Sequence, residues 1–314
     1  NPAAHKVAGV VLMKRWGIAL GAGGILGFAH IGVLEALESR GLRPSFVAGT
    51  SAGAIIGGLW ASGVKLSSIR YQMETLVLDE PVRILPGDLA DQGSGVPATA
   101  IQGLLGTAWI ESALARLTGN KMISDVEIPL SIVSCDLHTG DTVVFTNRPP
   151  RSKNSPGTLP IGHDIYPERD RRYITRVRLA TAIMASAALP GVFVPRKVFN
   201  SKLVDGGVKE MVPAYEVRRL GAEEVLSVDL GSYIDRRQEV RGVYSVLSRS
   251  FNLATRAATL EHLRKYSSLT LTPPVWEPGL PTPSKIRSLV EAGRRCAEKH
   301  MEEWLALIGL QEIR

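Results

Sequence analysis

Residues 47–54 read VAGTSAGA. A single serine, Ser51, stands between Gly49 and Gly53, with an apolar run before it and small apolar residues after it. The upstream residues PSFVAGT read as a buried strand, and SAGAIIGGLWASG reads as a helix of small residues that can press against a sheet. A G-x-S-x-G spacing on a strand-to-helix turn makes a nucleophile elbow. The bend is so tight that side chains two residues either side of the serine would collide, which glycine at 49 and 53 avoids. The helix behind the turn aims its N–H groups and positive dipole end at the same spot, where developing negative charge is favoured. The plain alternative is a Gly/Ser turn in which Ser51 only caps the helix.

Upstream, WGIALGAGG reads as another short strand that runs into glycines. FAHIGVLEALESRGL follows with Ile31, Val33, Leu34 and Leu37 at helical spacing and Gly41 placed as the C-terminal cap. Two β-turn-α units within the first 63 residues predict an α/β fold with a mostly parallel central sheet. The loop GAGGILG (Gly21–Gly27) is no dinucleotide fingerprint. The glycine required five residues after Gly21 is Leu26, and no acid ends the second strand, where Ala48 and Gly49 stand. A phosphate loop of the Gly-Lys-Ser/Thr type is absent too. Beside the elbow, the bare N–H groups of Gly23 and Gly24, with that of Ala52, suit an oxyanion instead.

Further strands are expected at residues 130–136, 142–145, 202–204 and 224–229. Helices are expected at 66–77, 108–118, 178–187, 213–220, 245–266 and 284–308. Residues 79–103 and 147–172 are rich in Pro, Gly and charge. Residues 79–108 are a candidate lid and 147–172 a basic loop. Residues 1–12, before the natural-looking start at Met13, read as a leader or tag remnant, and 13–314 as one catalytic domain with a C-terminal helical part at 240–314.

A serine nucleophile needs a base. His5, His30, His138, His163, His262 and His300 are the imidazole candidates. His30 reads as a core or capping residue, His262 and His300 as a solvated helix face, and His138 as a hairpin tip. Asp205 is better placed, in SKLVDGGVKEMVP, where a short strand ends in Asp-Gly-Gly. Loops at the carboxyl edge of a parallel sheet converge, and a carboxylate there can take the serine proton directly. A carboxylate is a weak base at its usual pKa, so geometry and dryness must compensate.

Of the 314 residues, 45% are hydrophobic and 21% charged, enough for a sizeable core. The net charge is +7, and eight Arg or Lys between Arg148 and Arg178 outnumber Asp164, Glu168 and Asp170. That excess suits anionic partners. The two cysteines, Cys135 and Cys296, lack metal-ligand spacing and point to a reducing compartment. The uncharged window 46–64 carries five glycines and a turn, which argues against a membrane span.

The glycine loop, GTSAG and Asp-Gly-Gly, in that order, resemble the patatin-like phospholipase family, specifically its small bacterial members. GFAHIGVLEAL, IPLSIVSCDLHTGDTVVF, ASAALPGVF and LVDGGVKEMVP are similar to family segments in the same sequence, over about Trp16 to Leu230. The resemblance implies a three-layer α/β/α fold and a serine–aspartate dyad of Ser51 and Asp205. It implies an oxyanion hole at Gly23, Gly24 and Ala52, with Gly21, Gly27, Gly49, Gly53, Gly206 and Gly207 as elbow and loop support. It implies hydrolysis of phospholipid or other acyl esters with no metal and no cofactor, no nucleic-acid partner, and a cytoplasmic location with peripheral contact to anionic membrane. Leu26 departs from the family, which usually carries Arg or Lys there, and Ala22 replaces a third glycine. The competing readings are a histidine-dependent α/β serine hydrolase or acyltransferase, and a catalytically weak lipid-binding relative.

Overall fold

In the computed structural model of the chain, the described residues are 13–78, 108–150, 171–231, 242–275 and 282–310, without the side chains of 242–245, 247 and 248. Residues 1–12, most of the expected lid (79–107) and 151–170 of the expected basic loop lie outside the described residues.

The first strand, β1 (Trp16–Leu20), is apolar and fully buried, so it sits mid-sheet between two parallel neighbours. One is β2 (Phe46–Thr50) and the other is β8 (Glu224–Val228). On the far side of β2 lies β3 (Leu130–Asp136), also parallel, and then β4 (Thr142–Thr146), which returns antiparallel. The edge strand β5 (Arg171–Ile174) is parallel to β4, and β9 (Leu269–Leu271) closes the other edge beside β8. A hairpin of β6 (Arg196–Val198) and β7 (Ser201–Asp205) joins through β7, which pairs antiparallel with β3. The sheet is mostly parallel, as the two leading β-turn-α units require.

Alternation along the strands divides the core between the two faces of the sheet. Trp16, Ile18 and Leu20 point into the larger cluster, while Ala19, Phe46, Ala48 and Val225 point into the smaller one. The larger face is covered by α1 (Phe28–Ser39), α2 (Ala52–Ala61), α3 (Leu66–Leu78), α4 (Ala108–Leu117), α5 (Leu179–Ser186) and α8 (Pro283–Lys299). The smaller face is covered by α6 (Ala214–Leu220) and α7 (Gly242–Tyr266), through Val217 and Leu263. The result is three layers, α/β/α. α1 stops as its sequence predicts: Gly41 takes φ 68°, and the N–H of Leu42 reaches back to the Leu37 carbonyl at 3.0 Å. Small residues let α1 and α8 touch backbone to backbone. A Cβ on Gly293 would stand 1.9 Å from the Ala29 carbonyl oxygen.

Three boundaries differ from the sequence reading. Residues 171 and 172, expected in the basic loop, begin β5. Their guanidiniums are mostly buried in ion pairs, Arg171 with Glu210 and Glu216 and Arg172 with Asp136 and Asp141. That part of the expected basic surface is therefore neutralised inside the protein. The C-terminal part is not wholly helical, because β9 joins the sheet from within it. The helix expected over 284–308 breaks at His300 into α8 and α9 (Met301–Leu307).

The feature that positions the site is the edge that β3 offers to β2. Val47 to Thr50 of β2 pair with Leu130 to Val133. The next residue, Ser134, pairs with Asp205 of β7, which arrives from the opposite direction. β2 and β7 thus share one edge of β3 and run head to head, so the end of each strand meets the end of the other. Asp205 does not reach the site from a parallel strand of the sheet, as expected, but from this incoming antiparallel one.

Candidate active site

Ser51 follows β2 directly, with φ 54° and ψ −118°, in the left-handed region that few non-glycine residues occupy. Three contacts hold it there. Its N–H donates to Ser186 Oγ at 2.9 Å, its carbonyl accepts the N–H of Ile55 at 3.0 Å, and Thr50 Oγ1 donates to the Glu210 carbonyl at 3.0 Å. The two flanking glycines are required sterically. A Cβ on Gly49 would lie 2.4 Å from the Gly53 carbonyl oxygen, and one on Gly53 would lie 2.0 Å from that of Leu20. Ser51 occupies the N-cap position of α2 by sequence, yet its hydroxyl makes no capping hydrogen bond. The capping alternative leaves that hydroxyl without a task.

The hydroxyl instead faces the Asp205 carboxylate, closely enough to help hold down its pKa. Asp205 is 2% exposed, its N–H donates to the Ala188 carbonyl at 2.9 Å, and its Oδ1 accepts the Gly207 N–H at 2.8 Å. Burial pushes its pKa from an ordinary 3.8 up to about 6, while the nearby Ser51 hydroxyl and the Gly207 N–H pull it down. The carboxylate is therefore a stronger base than its residue type suggests. Gly206 lets this turn lie against β3, since a Cβ there would stand 2.1 Å from the Val133 carbonyl oxygen. A Cβ on Gly207 would crowd Asp205 Oδ1 at 3.0 Å.

The glycine loop lies alongside. Gly21 donates to the Val228 carbonyl at 3.0 Å and Ala22 to that of Met211 at 2.8 Å, which fixes the loop's start. Gly24 takes φ 53° and opens a 3-10 turn through Gly27, and the Leu26 N–H closes onto the Gly23 carbonyl at 3.0 Å. Gly27 abuts the elbow helix, where a Cβ would come within 2.5 Å of Ala52 Cβ. The loop and the first turn of α2 are thus in contact. Among the described residues the N–H groups of Gly23, Gly24 and Ala52 donate to no backbone or side-chain acceptor. That of Ser51 is already taken by Ser186.

The histidines sort as the sequence suggested, except His262, which is not on a solvated face but is mostly buried against Tyr266 and Glu210. His30 is fully buried, and burial lowers its pKa to about 4, against the hydrogen bond to Gly21 and the charge of Asp229. It is neutral, with Nε2 2.8 Å from the Gly21 carbonyl oxygen, so it steadies the start of the glycine loop. His262 Nε2 lies 2.9 Å from Glu210 Oε1, and His300 Nδ1 lies 2.8 Å from the Cys296 carbonyl oxygen. His138 stands on an exposed turn. None of these four hydrogen-bonds to Ser51 or Asp205. His5 and His163 lie outside the described residues.

The profile of one protein family, described as patatin-like phospholipase, matches residues 18–218, a span that holds the glycine loop, the elbow and the Asp-Gly-Gly turn. The chain belongs to that family. An NTE family protein of Mycobacterium bovis, named as uncharacterized, is 30% identical over 229 residues, which is 73% of this chain and 52% of that protein. The chain thus spans about half the length of the first curated relatives it matches. A lysophospholipase NTE1 of Lodderomyces elongisporus is 25% identical over 236 residues, 74% of this chain and 14% of that one. Among solved structures, VipD of Legionella pneumophila superposes with a TM-score of 0.53 at 14% identity, over 93% of this chain and 67% of that chain, a likeness of fold.

Two departures of this patatin-like chain have a structural setting. Leu26 is half-buried and packs with Ile25 and Ile55 against the large core cluster, where a cation would be misplaced. Ala22 is buried in the smaller cluster.

The sequence reading missed the residues that brace the elbow. Ser186, at the end of α5, is fully buried. Its Oγ accepts the Ser51 N–H and donates to the Val133 carbonyl at 2.5 Å. Ser134 Oγ sits 2.7 Å from the Val204 carbonyl oxygen and 3.0 Å from that of Ala185, which ties β7 and α5 to β3. Glu210 is held by Arg171, with Nη2 to Oε2 at 2.7 Å. That cation and His262 keep its carboxyl at about 2, although burial pushes the other way. The only sequence signals for Ser186 were its place in ASAALPGVF and at the end of the helix expected over 178–187.

Proposed function

We propose that the chain is a lipid acyl hydrolase that cleaves fatty acyl esters through an acyl-serine intermediate, with Ser51 as nucleophile and Asp205 as base. The observation that carries this reading is a serine hydroxyl on a strained turn, free of any capping bond, set beside a buried carboxylate with a raised pKa. Family membership and the lysophospholipase name of a relative support the substrate class.

In the reaction Ser51 Oγ attacks the ester carbonyl carbon as its proton passes to Asp205. The N–H groups of Gly23, Gly24 and Ala52 receive the oxyanion. Each such donor typically contributes about 10²–10³ in rate. The Ser51 N–H takes no part, because Ser186 already holds it. When the tetrahedral intermediate collapses, the carbon–oxygen bond to the alcohol breaks and Asp205 returns the proton to the departing oxygen. A water then attacks the acyl-serine, gives its proton to Asp205, and the fatty acid leaves as Ser51 recovers its hydrogen. Fixing the carboxylate against the hydroxyl before substrate arrives supplies the orientation that a weak base needs. A pKa near 6 keeps it ionised at neutral pH yet closer to the operating pH than an ordinary carboxyl. A histidine-dependent route is disfavoured by His30 and His262, whose hydrogen bonds lead elsewhere.

Labelling with a fluorophosphonate tests the reading. Wild type is expected to label, and Ser51→Ala and Asp205→Asn to lose labelling and hydrolysis of an ester panel of graded chain length. Labelling of Ser51→Ala at the wild-type level overturns the assignment. Undiminished hydrolysis by Asp205→Asn overturns the base.

A further inference from the structure

The β6–β7 hairpin breaks two local rules at its tip. Val198 pairs with Ser201, so Phe199 and Asn200 form a two-residue loop. Phe199 takes φ 51°, in a loop position where glycine is the preferred residue, and its ring is left 65% exposed. A bulky aromatic at positive φ is strained, and solvent offers nothing in return. One pair further in, Lys197 stands directly across from Lys202. Like charges facing each other across a hairpin are destabilising. Among the described residues neither lysine has an ion-pair partner, whereas Arg196 beside them is tied to Glu111. Leu137 is exposed at 50%, and its N–H donates to the Lys202 carbonyl at 2.9 Å, so a second apolar side chain flanks the same hairpin.

The exposure of the ring and the repulsion of the paired lysines are both relieved in one environment. A membrane surface with anionic headgroups takes an aromatic at the headgroup–acyl boundary and neutralises the paired lysines. The position agrees. β7 runs from this tip to Asp205, and β3 reaches past the end of β2 to pair with it. The hairpin therefore projects beyond the sheet edge at which the Ser51–Asp205 pair sits. We infer that the β6–β7 hairpin is a membrane-docking element, with Phe199 as the apolar wedge and Lys197 and Lys202 as the contact to anionic lipid. This surface rests on the hydrolase reading for its purpose, since it would set the ester-cleaving edge against the bilayer, but its test does not depend on that reading.

The test uses the full chain carrying Ser51→Ala, so that lipid is not consumed, and vesicles of phosphatidylcholine with or without phosphatidylglycerol. Cosedimentation with the anionic vesicles is expected, and none with the neutral ones. Lys197→Gln with Lys202→Gln is expected to weaken binding by about 25-fold, from about fivefold for each lysine near an anionic surface. Phe199→Gly relieves the backbone strain, so it is expected to raise the melting temperature while weakening vesicle binding about tenfold. A direct readout comes from Phe199→Cys labelled with an environment-sensitive dye, because Cys135 and Cys296 are both buried. Its emission is expected to rise on anionic vesicles. In the Ser51 background the same substitutions are expected to leave hydrolysis of a soluble short-chain ester unchanged. Wild-type vesicle affinity in Phe199→Gly, or a dye that does not respond, overturns the inference. A wild-type chain that fails to label with the fluorophosphonate while vesicle binding is intact overturns the hydrolase reading alone.

Discussion

Replacing Asp205 by Asn removes a charge from a site where it is costly, so the variant is expected to be inactive and more stable. Burial carries the carboxyl from 3.8 to about 6, which at one pKa unit per 1.36 kcal/mol costs the native state about 3 kcal/mol once the group is ionised. The sign follows from proton counting. Between pH 3.8 and about 6 the folded state holds the proton that the unfolded state has lost, so stability falls as pH rises through that window and stays low above it. The Asn side chain can keep the acceptor for the Gly207 N–H and offer its amide to Ser51 Oγ, so the geometry survives. Part of the 3 kcal/mol is lost to burying the amide, and the remainder corresponds to a rise in melting temperature on the order of 5 °C at neutral pH. Near pH 4 both forms are neutral in the folded state and the difference closes. Melting curves of the two proteins, recorded by circular dichroism across this range, measure it directly. The wild-type kcat/KM should rise with pH through about 6 over the same window as Asp205 ionises. A melting difference that does not change with pH, or an Asn variant less stable at neutral pH, would refute the claim that burial sets the basicity of this carboxylate.

Ser186→Ala leaves the Ser51 N–H buried without an acceptor and frees the strained turn; kcat for a soluble ester is expected to fall about tenfold to a hundredfold at nearly constant KM, with Ser186→Thr restoring part of it. His30→Gln offers Gly21 an amide donor in place of the imidazole, and activity is expected to persist with its pH profile unchanged, whereas a general-base histidine would cost several orders of magnitude. Gly293→Val drives a side chain into the Ala29 backbone at the α1–α8 crossing; a loss of about 1–3 kcal/mol in denaturant unfolding is expected, far from the site and without change in kcat for the folded fraction.

Much of this architecture was legible because glycine, helix and strand signals coincide at the same places. The elbow could be read because Gly49 and Gly53 are dictated by contacts within a few residues or with the adjacent β1. The strands at 130–136, 142–146 and 224–228 could be read because they are continuous buried runs. The short strands β5, β6 and β9 could not, since Arg171–Ile174 and Arg196–Val198 are basic and only partly buried and Leu269–Leu271 is three residues long. Their pairing is decided by neighbours distant in sequence. The same holds for Ser186 and Glu210, whose work is done by an oxygen pointed at another segment. Asp205 was singled out from its turn, but its route differs: a carboxyl-edge loop of a parallel sheet was expected, and an antiparallel strand delivers it. A raised pKa could not be foreseen from Asp-Gly-Gly, because it depends on what covers the side chain.

The shared edge of β3 makes one strand the ruler for the two side chains of the candidate site. Val133 fixes the height of Thr50, and its neighbour Ser134 fixes that of Asp205. The gap between alcohol and acid is then set by a single peptide step rather than by the 153 residues of chain that separate them. Evolution and protein engineers alike can lengthen, shorten or rewrite the intervening connections with little risk to the chemistry. A one-residue slip in β3 would break it.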